Sequence, residues 1–228
     1  MVRFPARCEV PKFSVFASLL RMTTKYGFSD VRDQLLKGLK GAYPTKWAAY
    51  QAAEVLGEDV FGSPKPHPNT VLNLFMTQSV RFAIPFAAYR ASLGGFQALR
   101  SDMPYTMLPR HTLASIVYGM ERIRGFMTQA AHTITYKEDL VSVLCLNGVC
   151  VLNVGIEPVK RRVQALAKLY DAMIDDNREG GMLSPPLLGN IACEECAKEI
   201  EASHVAWRLH CWELLPATFS VAKCWDEV

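Results

Sequence analysis

Apolar side chains recur at helical spacing from the start of the chain. The first run places five of them on one face of a helix: Val15, Phe16, Leu19, Leu20 and Tyr26. Gly27 then supplies the left-handed backbone conformation that commonly ends a helix. Ser29 can cap a second helix, whose apolar face consists of Val31, Leu35, Leu36 and Leu39. The pattern therefore predicts a tight helical hairpin over residues 13–40.

The same spacing predicts further helices along the rest of the chain. Thr45 can cap a short helix, and Pro85, Pro109 and Pro158 can each occupy the first turn of another. Asn190 can cap the last helix. The clearest amphipathic helix follows Pro109, and its apolar stripe comprises Leu113, Ile116, Val117, Met120, Ile123, Met127 and Ile134. A stripe of this kind is typical of a core-facing side of a helix.

Two stretches do not follow the helical pattern. Residues 57–69 contain glycines and prolines that cannot continue a helix, so we predict a loop in which His67 is solvated. Residues 138–155 fit either a helix or a β-hairpin turning at Asn147 and Gly148, and we favour the helix. The predicted fold class is mostly α: an irregular bundle or stack of eight to nine helices with no substantial sheet.

Composition and charge exclude several classes of protein. Hydrophobic residues make up 50% of the 228 residues, which is ample for a buried core. The net charge of +3 comes from charges of both signs spread through the chain, and the basic run at residues 160–162 is expected to be a solvated helix face. We therefore expect no nucleic-acid partner. Arg81 and Arg90 interrupt the most apolar region, so we expect no membrane span.

Targeting signals and cysteines bear on the compartment. The apolar stretch at residues 13–20 is short, follows Pro5, Glu9 and Pro11, and lacks a cleavage site for a signal peptide. The seven cysteines are irregularly spaced within apolar helical patterns, which is typical of reduced thiols. We expect a soluble protein of the cytoplasm or nucleus.

The last predicted helix carries the chain's candidate metal ligands. Its predicted buried stripe comprises Cys193, Cys196, Ile200, Trp207, Cys211 and Leu214. Cys193 and Cys196 form a C-x-x-C pair, for which His204 and Cys211 could supply further zinc ligands. A second C-x-x-C is missing, and small thiols within a core account for the pair without metal. We therefore commit to no metal and no cofactor, and keep a zinc-stabilised helical module as an alternative.

Catalytic motifs are sparse. The sequence DDNRE at residues 175–179 has the spacing with which class I terpenoid synthases hold magnesium for a diphosphate, but the second metal-binding motif of those enzymes does not occur. A solvated helix end accounts better for Asp175 and Asp176. Dinucleotide, P-loop, α/β-hydrolase and zincin motifs do not occur either. We predict a protein that is not an enzyme, with a magnesium-dependent isoprenoid enzyme as a remote alternative.

Several segments carry a family resemblance. Residues 16–39, FASLLRMTTKYGFSDVRDQLLKGL, followed by AYPT at 42–45, resemble the end of the BTB/POZ domain in mushroom-type fungal BTB proteins. PFAAY at 85–89, WELLPATF at 212–219 and WDE at 225–227 resemble further family segments, so the likeness touches about residues 13–110 and 190–228. It implies an adaptor that binds other proteins or a second copy of itself. Residues 1–43 would be the terminal BTB hairpin and residues 44–228 the helical C-terminal domain of the family.

The resemblance starts late in the BTB domain. Only a dozen residues precede the hairpin, whereas the family's dimer interface and much of its cullin-binding surface lie upstream, so we expect the C-terminal two-thirds of such a protein and no cullin binding. The hairpin face of Phe16, Leu20, Val31, Leu35 and Leu39 would pack on that missing core, and here it must repack internally or bind a partner. We predict partner-binding anchors at Phe13, Phe16, Leu20 and Tyr26.

Overall fold

The computed structural model describes residues 12–56, 61, 65–93, 108–136 and 194–228. These residues form seven α-helices and two 3-10 turns, and no strand occurs among them, which confirms the predicted mostly helical fold. The helices are α1 (Phe13–Tyr26), α2 (Ser29–Leu39), α3 (Trp47–Leu56), α4 (Pro68–Thr77), α5 (Ile84–Ser92), α6 (Arg110–Tyr136) and α7 (Glu194–Thr218). The 3-10 turns are Arg81–Ala83 and Trp225–Glu227.

The turn between α1 and α2 forms largely as predicted. Gly27 has a φ of 69° and ends α1, and the Phe28 amide donates to the Thr23 carbonyl at 3.0 Å. The predicted cap at Ser29 is wrong, because Ser29 is already the first residue of α2 and the cap position falls on Phe28, which makes no side-chain capping bond. The turn is one residue tighter than the sequence suggested, and Phe28 is left exposed on it.

A histidine begins α4. His67 precedes Pro68, and its Nδ1 accepts a hydrogen bond from the Asn69 amide at 3.3 Å. This corrects the prediction of a merely solvated side chain: the imidazole is exposed, yet it caps the helix by satisfying one of the amides that no helical carbonyl can reach.

The core is a single cluster of buried side chains centred on the aromatic rings of α3, α5 and α7. The Trp212 ring lies 4.9 Å from Tyr50, 5.6 Å from Phe86 and 5.0 Å from Trp225, measured between centroids. The hairpin contributes Phe16, Ala17, Leu20 and Leu39 to the same cluster. Arg32 of α2 also donates to the carbonyl of Gln78, just after α4, at 2.9 Å. The apolar face of the hairpin is therefore packed largely against other described residues of this chain.

The buried face of α7 differs from the predicted stripe. Its fully buried residues include His204, Arg208, Cys211, Trp212 and Leu215, whereas the predicted Trp207 and Leu214 are half-buried. Arg208 can enter the core because its guanidinium lies 5.2 Å from the centroid of the Trp47 ring, where the face of the indole attracts a cation. Cys193 lies outside the described residues, as do the side chains of Cys196 and Ile200.

Helix α6 packs on α5 and α7, as its stripe predicts. Ile116, Met120 and Ile123 are buried, and Met127 and Ile134 have side chains outside the described residues. Four other sequence features also lie outside: the ambiguous stretch 138–155, the basic run 160–162, the helix after Pro158 and the acidic pair at 175–176.

Helix α6 packs closely against Phe219, the residue after α7, at a glycine. A methyl group at Gly119 would overlap the ring of Phe219, which is itself buried. We expect Gly119→Ala to lower the free energy of unfolding by about 1 to 3 kcal/mol, because the ring would have to move within a packed core. Chemical denaturation monitored by circular dichroism measures the change.

Gly125→Ala on the same helix is the matched control, since nothing lies within 4 Å of the added methyl. It should stabilise the protein by about 0.5 to 1 kcal/mol, because alanine loses less backbone entropy than glycine when a helix forms. Equal effects of the two alanines would contradict the packing of Phe219 on Gly119.

The cap at His67 should make stability depend on pH. Although His67 is exposed as a residue, its imidazole is partly desolvated, and this lowers the pKa of His67 below its ordinary value of 6.5 because desolvation disfavours the protonated form. At a pH between the pKa of His67 in the folded protein and about 6.5, the unfolded chain binds more protons than the folded chain. The stabilisation that His67 provides is therefore complete above about pH 6.5 and is lost as the pH falls through the folded pKa. We expect the melting temperature of the native protein to fall more than that of His67→Asn when the pH is lowered from about 7.5 to about 5.

His111→Asn is the control for that experiment, because it removes an exposed histidine of α6 that caps no helix. Asparagine can cap α4 at any of these pH values, so a His67→Asn curve parallel to that of the native protein would rule out the titrating cap.

Candidate protein-binding surface

Helix α1 carries apolar side chains on two separate faces. The inner face comprises Phe16, Ala17 and Leu20, which are buried, with Phe13 packed partly against the core. The ring of Phe61 lies 5.3 Å from Phe16 and 5.1 Å from Phe13, between centroids. This side of α1 is therefore covered by the rest of the chain.

Three of the four predicted partner-binding residues lie on the inner face. Phe16 and Leu20 are only 4% and 0% exposed, so neither can reach a partner in the folded protein. Phe13 is half-buried. The ring of Phe61, distant in sequence, packs on Phe16, and Leu20 belongs to the same buried core. Tyr26 alone among the four is exposed, at 58%.

The second face of α1 consists of four apolar residues spaced by four, three and four positions: Val15, Leu19, Met22 and Tyr26. Phe28, in the turn after α1, extends this face, and we call the five residues together the outer stripe. Leu19 is half-buried, and the other four are between 49% and 58% exposed. The rings of Tyr26 and Phe28 lie 6.2 Å apart. The stripe is thus a continuous line of large apolar side chains that this chain leaves about half exposed to water.

The sequence did carry a signal for the outer stripe. At about 100° per residue, its four helical members fall within an arc of about 60°, roughly 110° away from Phe16 and Leu20. A helix that packs on one side needs one apolar arc of about 100°, so a second arc indicates a second contact. The single predicted face combined Val15 and Leu19 with Phe16 and Leu20, and it left out Met22 and Phe28.

The outer stripe has an unfavourable free energy when nothing covers it. Full burial of a large apolar side chain contributes about 1.5 to 3 kcal/mol, and four of these side chains have about half of that still to gain. Exposed apolar residues scattered singly need no explanation, whereas a contiguous patch marks an interaction site. What the arrangement can do is therefore noncovalent: it can bury apolar surface against another molecule.

The candidate zinc ligands are not assembled in the described part of the chain. His204 and Cys211 are both buried on α7, but they lie seven residues apart, which is about 10 Å along the helix. Burial raises the pKa of the Cys211 thiol to about 12, so it stays protonated at neutral pH, whereas zinc binds the thiolate. Within the residues described, no group of three or more His, Cys, Asp or Glu side chains could hold a metal. The pair Cys193 and Cys196 stays a prediction.

Membrane and family comparisons complete the description of the site. None of the helices in the described ranges has the length and apolar character needed to span a bilayer. No protein-family model matches the chain, and comparison with curated proteins and with solved structures finds no match. The BTB resemblance therefore rests on short sequence segments alone.

Proposed function

We propose that the protein is a non-enzymatic adaptor of the cytoplasm or nucleus that binds a helical segment of another protein on the outer stripe. The observation that carries the proposal is the line of half-exposed apolar side chains on α1, at 49% to 58%, beside an inner face that the chain's own core covers. The resemblance to fungal BTB proteins supports the adaptor role, since those proteins act by docking.

The spacing of the stripe favours a helix as the partner. From Val15 to Tyr26 the stripe extends about 16 Å along α1, nearly parallel to the helix axis. A partner helix of about eleven residues could lie along it and fill the spaces between its side chains, as ridges fill grooves between packed helices. An extended strand would gain less here, because a helix such as α1 offers no free backbone edge for hydrogen bonding.

The residue types suit a docking surface. Tyr26 and Phe28 stand together at the turn and give a large contact area with few rotatable bonds. Met22 lies one turn before them and can adapt its shape to the partner. Because the inner face fixes α1 to the core, little backbone entropy is lost when the outer stripe is covered.

The proposal is tested by replacing Met22 and Tyr26 together with aspartate. Both are more than half exposed, so we expect folding to be retained, with a melting temperature within about 2 °C of the native value, while docking is lost. A photo-crosslinking amino acid at Val15 should join the protein to one specific polypeptide in the cells in which it occurs, and that product should disappear when the aspartates are present.

Tyr118→Asp with Gln129→Asp is the matched control, because it adds the same two charges at exposed positions of α6, outside the hairpin. The crosslinked product should persist in this variant. Loss of the product in both variants, or in neither, would show that the outer stripe is not the docking surface.

A further inference from the structure

The hairpin that carries the outer stripe is much more basic than the rest of the chain. Residues 12–40 contain six basic and two acidic residues, a net charge of +4, whereas the whole chain has a net charge of +3. The remaining residues therefore have a slightly negative balance. The excess of positive charge is thus concentrated in the hairpin, which also exposes the outer stripe.

The charges of α1 itself are all positive. The helix contains Arg21 and Lys25 and no acidic residue, and Lys12 immediately precedes it. All three side chains are exposed. At about 100° per residue, Lys12 and Lys25 fall on opposite sides of the outer stripe. The Lys25 Nζ lies 5.3 Å from the centroid of the Tyr26 ring, which places a cation directly on the rim of the stripe.

We propose that the helix bound by the outer stripe is an acidic amphipathic helix, with apolar residues on one side and carboxylates along its edges. This inference rests on the proposed function and names the chemistry of the partner. Carboxylates on the edges of the partner would face Lys12 and Lys25, while its apolar side would cover Met22, Tyr26 and Phe28. Complementary rims of this kind raise association rates and set the register of binding.

Two other occupants fit the charges or the shape less well. A second copy of the chain, packed stripe to stripe, would bring two hairpins of net charge +4 together, and the like charges would repel. An anionic bilayer would suit the charge, but a flat surface buries a broad apolar face, whereas this stripe occupies an arc of only about 60° on the helix. A cylindrical partner matches a narrow line of side chains.

The test uses the full chain and two synthetic helical peptides with the same apolar stripe, one flanked by glutamates and the other by lysines. We expect the glutamate peptide to bind at least about tenfold more tightly in about 50 mM NaCl, measured by fluorescence anisotropy. The preference should shrink in about 300 mM NaCl, because salt screens exposed charges. Lys12→Glu with Lys25→Glu should abolish it, since both side chains are exposed beside the stripe.

Arg110→Glu with Lys223→Glu is the control variant, since it makes the same change in net charge at exposed positions outside the hairpin. It should keep the preference for the glutamate peptide. Loss of the preference in this control would mean that net charge alone is responsible, which would overturn the assignment of the partner-facing rim to α1.

The remaining outcomes separate this inference from the proposed function. Equal binding of both peptides that is lost on Met22→Asp with Tyr26→Asp would overturn the acidic partner and leave the docking surface in place. Failure of both peptides to bind would overturn the inference of an acidic partner. The proposed docking surface would be overturned only if the crosslinked product also persisted in the variant with Met22→Asp and Tyr26→Asp. Stripe-dependent binding to phosphatidylserine vesicles would point to a lipid surface, and stripe-dependent dimers in sedimentation would point to a second copy; either result would overturn the inference.

Discussion

The packing of one tryptophan ring joins three of the described helices, α3, α5 and α7. The Trp212 ring of α7 contacts Tyr50 of α3, Phe86 of α5 and Trp225 of the last 3-10 turn, and the Trp225 indole donates to the Trp212 carbonyl at 2.8 Å. Large aromatic rings bury more apolar area than any aliphatic side chain, so this cluster dominates the packing energy. The same packing leaves one hydrogen-bond donor unsatisfied, which costs free energy: the Trp212 Nε1 is buried and finds no acceptor among the described residues. The net gain from stacking and burial exceeds that penalty.

The position of α1 follows from this core. Tyr43, which follows the hairpin, packs edge-on against Phe75 of α4 and Phe86 of α5, and Phe16 of α1 packs on Phe61. The hairpin is thereby fixed through its inner face, and its outer face is presented by a helix that is already ordered. Since ordering a docking element upon binding costs free energy, a helix held in this way can bind with a short stripe. The core is thus a condition for the proposed docking as well as for the fold.

Local signals predicted much of this structure, and long-range packing accounts for the failures. Gly27, the hairpin and the stripe of α6 followed from spacing and from backbone preference, which act over a few residues. The buried face of α7 did not, because a charged residue such as Arg208 is assigned to solvent unless the ring of Trp47, far away in sequence, is known to lie over it. Phe16 was assigned to a partner for the same reason: periodicity shows that a face is apolar, but only the fold shows whether Phe61 covers it.

An exposed apolar line on a helix carries a risk of aggregation, and the charges around it bear on both the risk and the function. Concentrated positive charge on the hairpin repels a second hairpin, which opposes stripe-to-stripe self-association. The same charge attracts a partner with carboxylates along its edges. Lys25 illustrates how one side chain serves both purposes, because its ammonium group lies 5.3 Å from the centroid of the Tyr26 ring, at the edge of the stripe. Discrimination of this kind depends on repulsion as much as on attraction, since the stripe alone would bind any apolar helix.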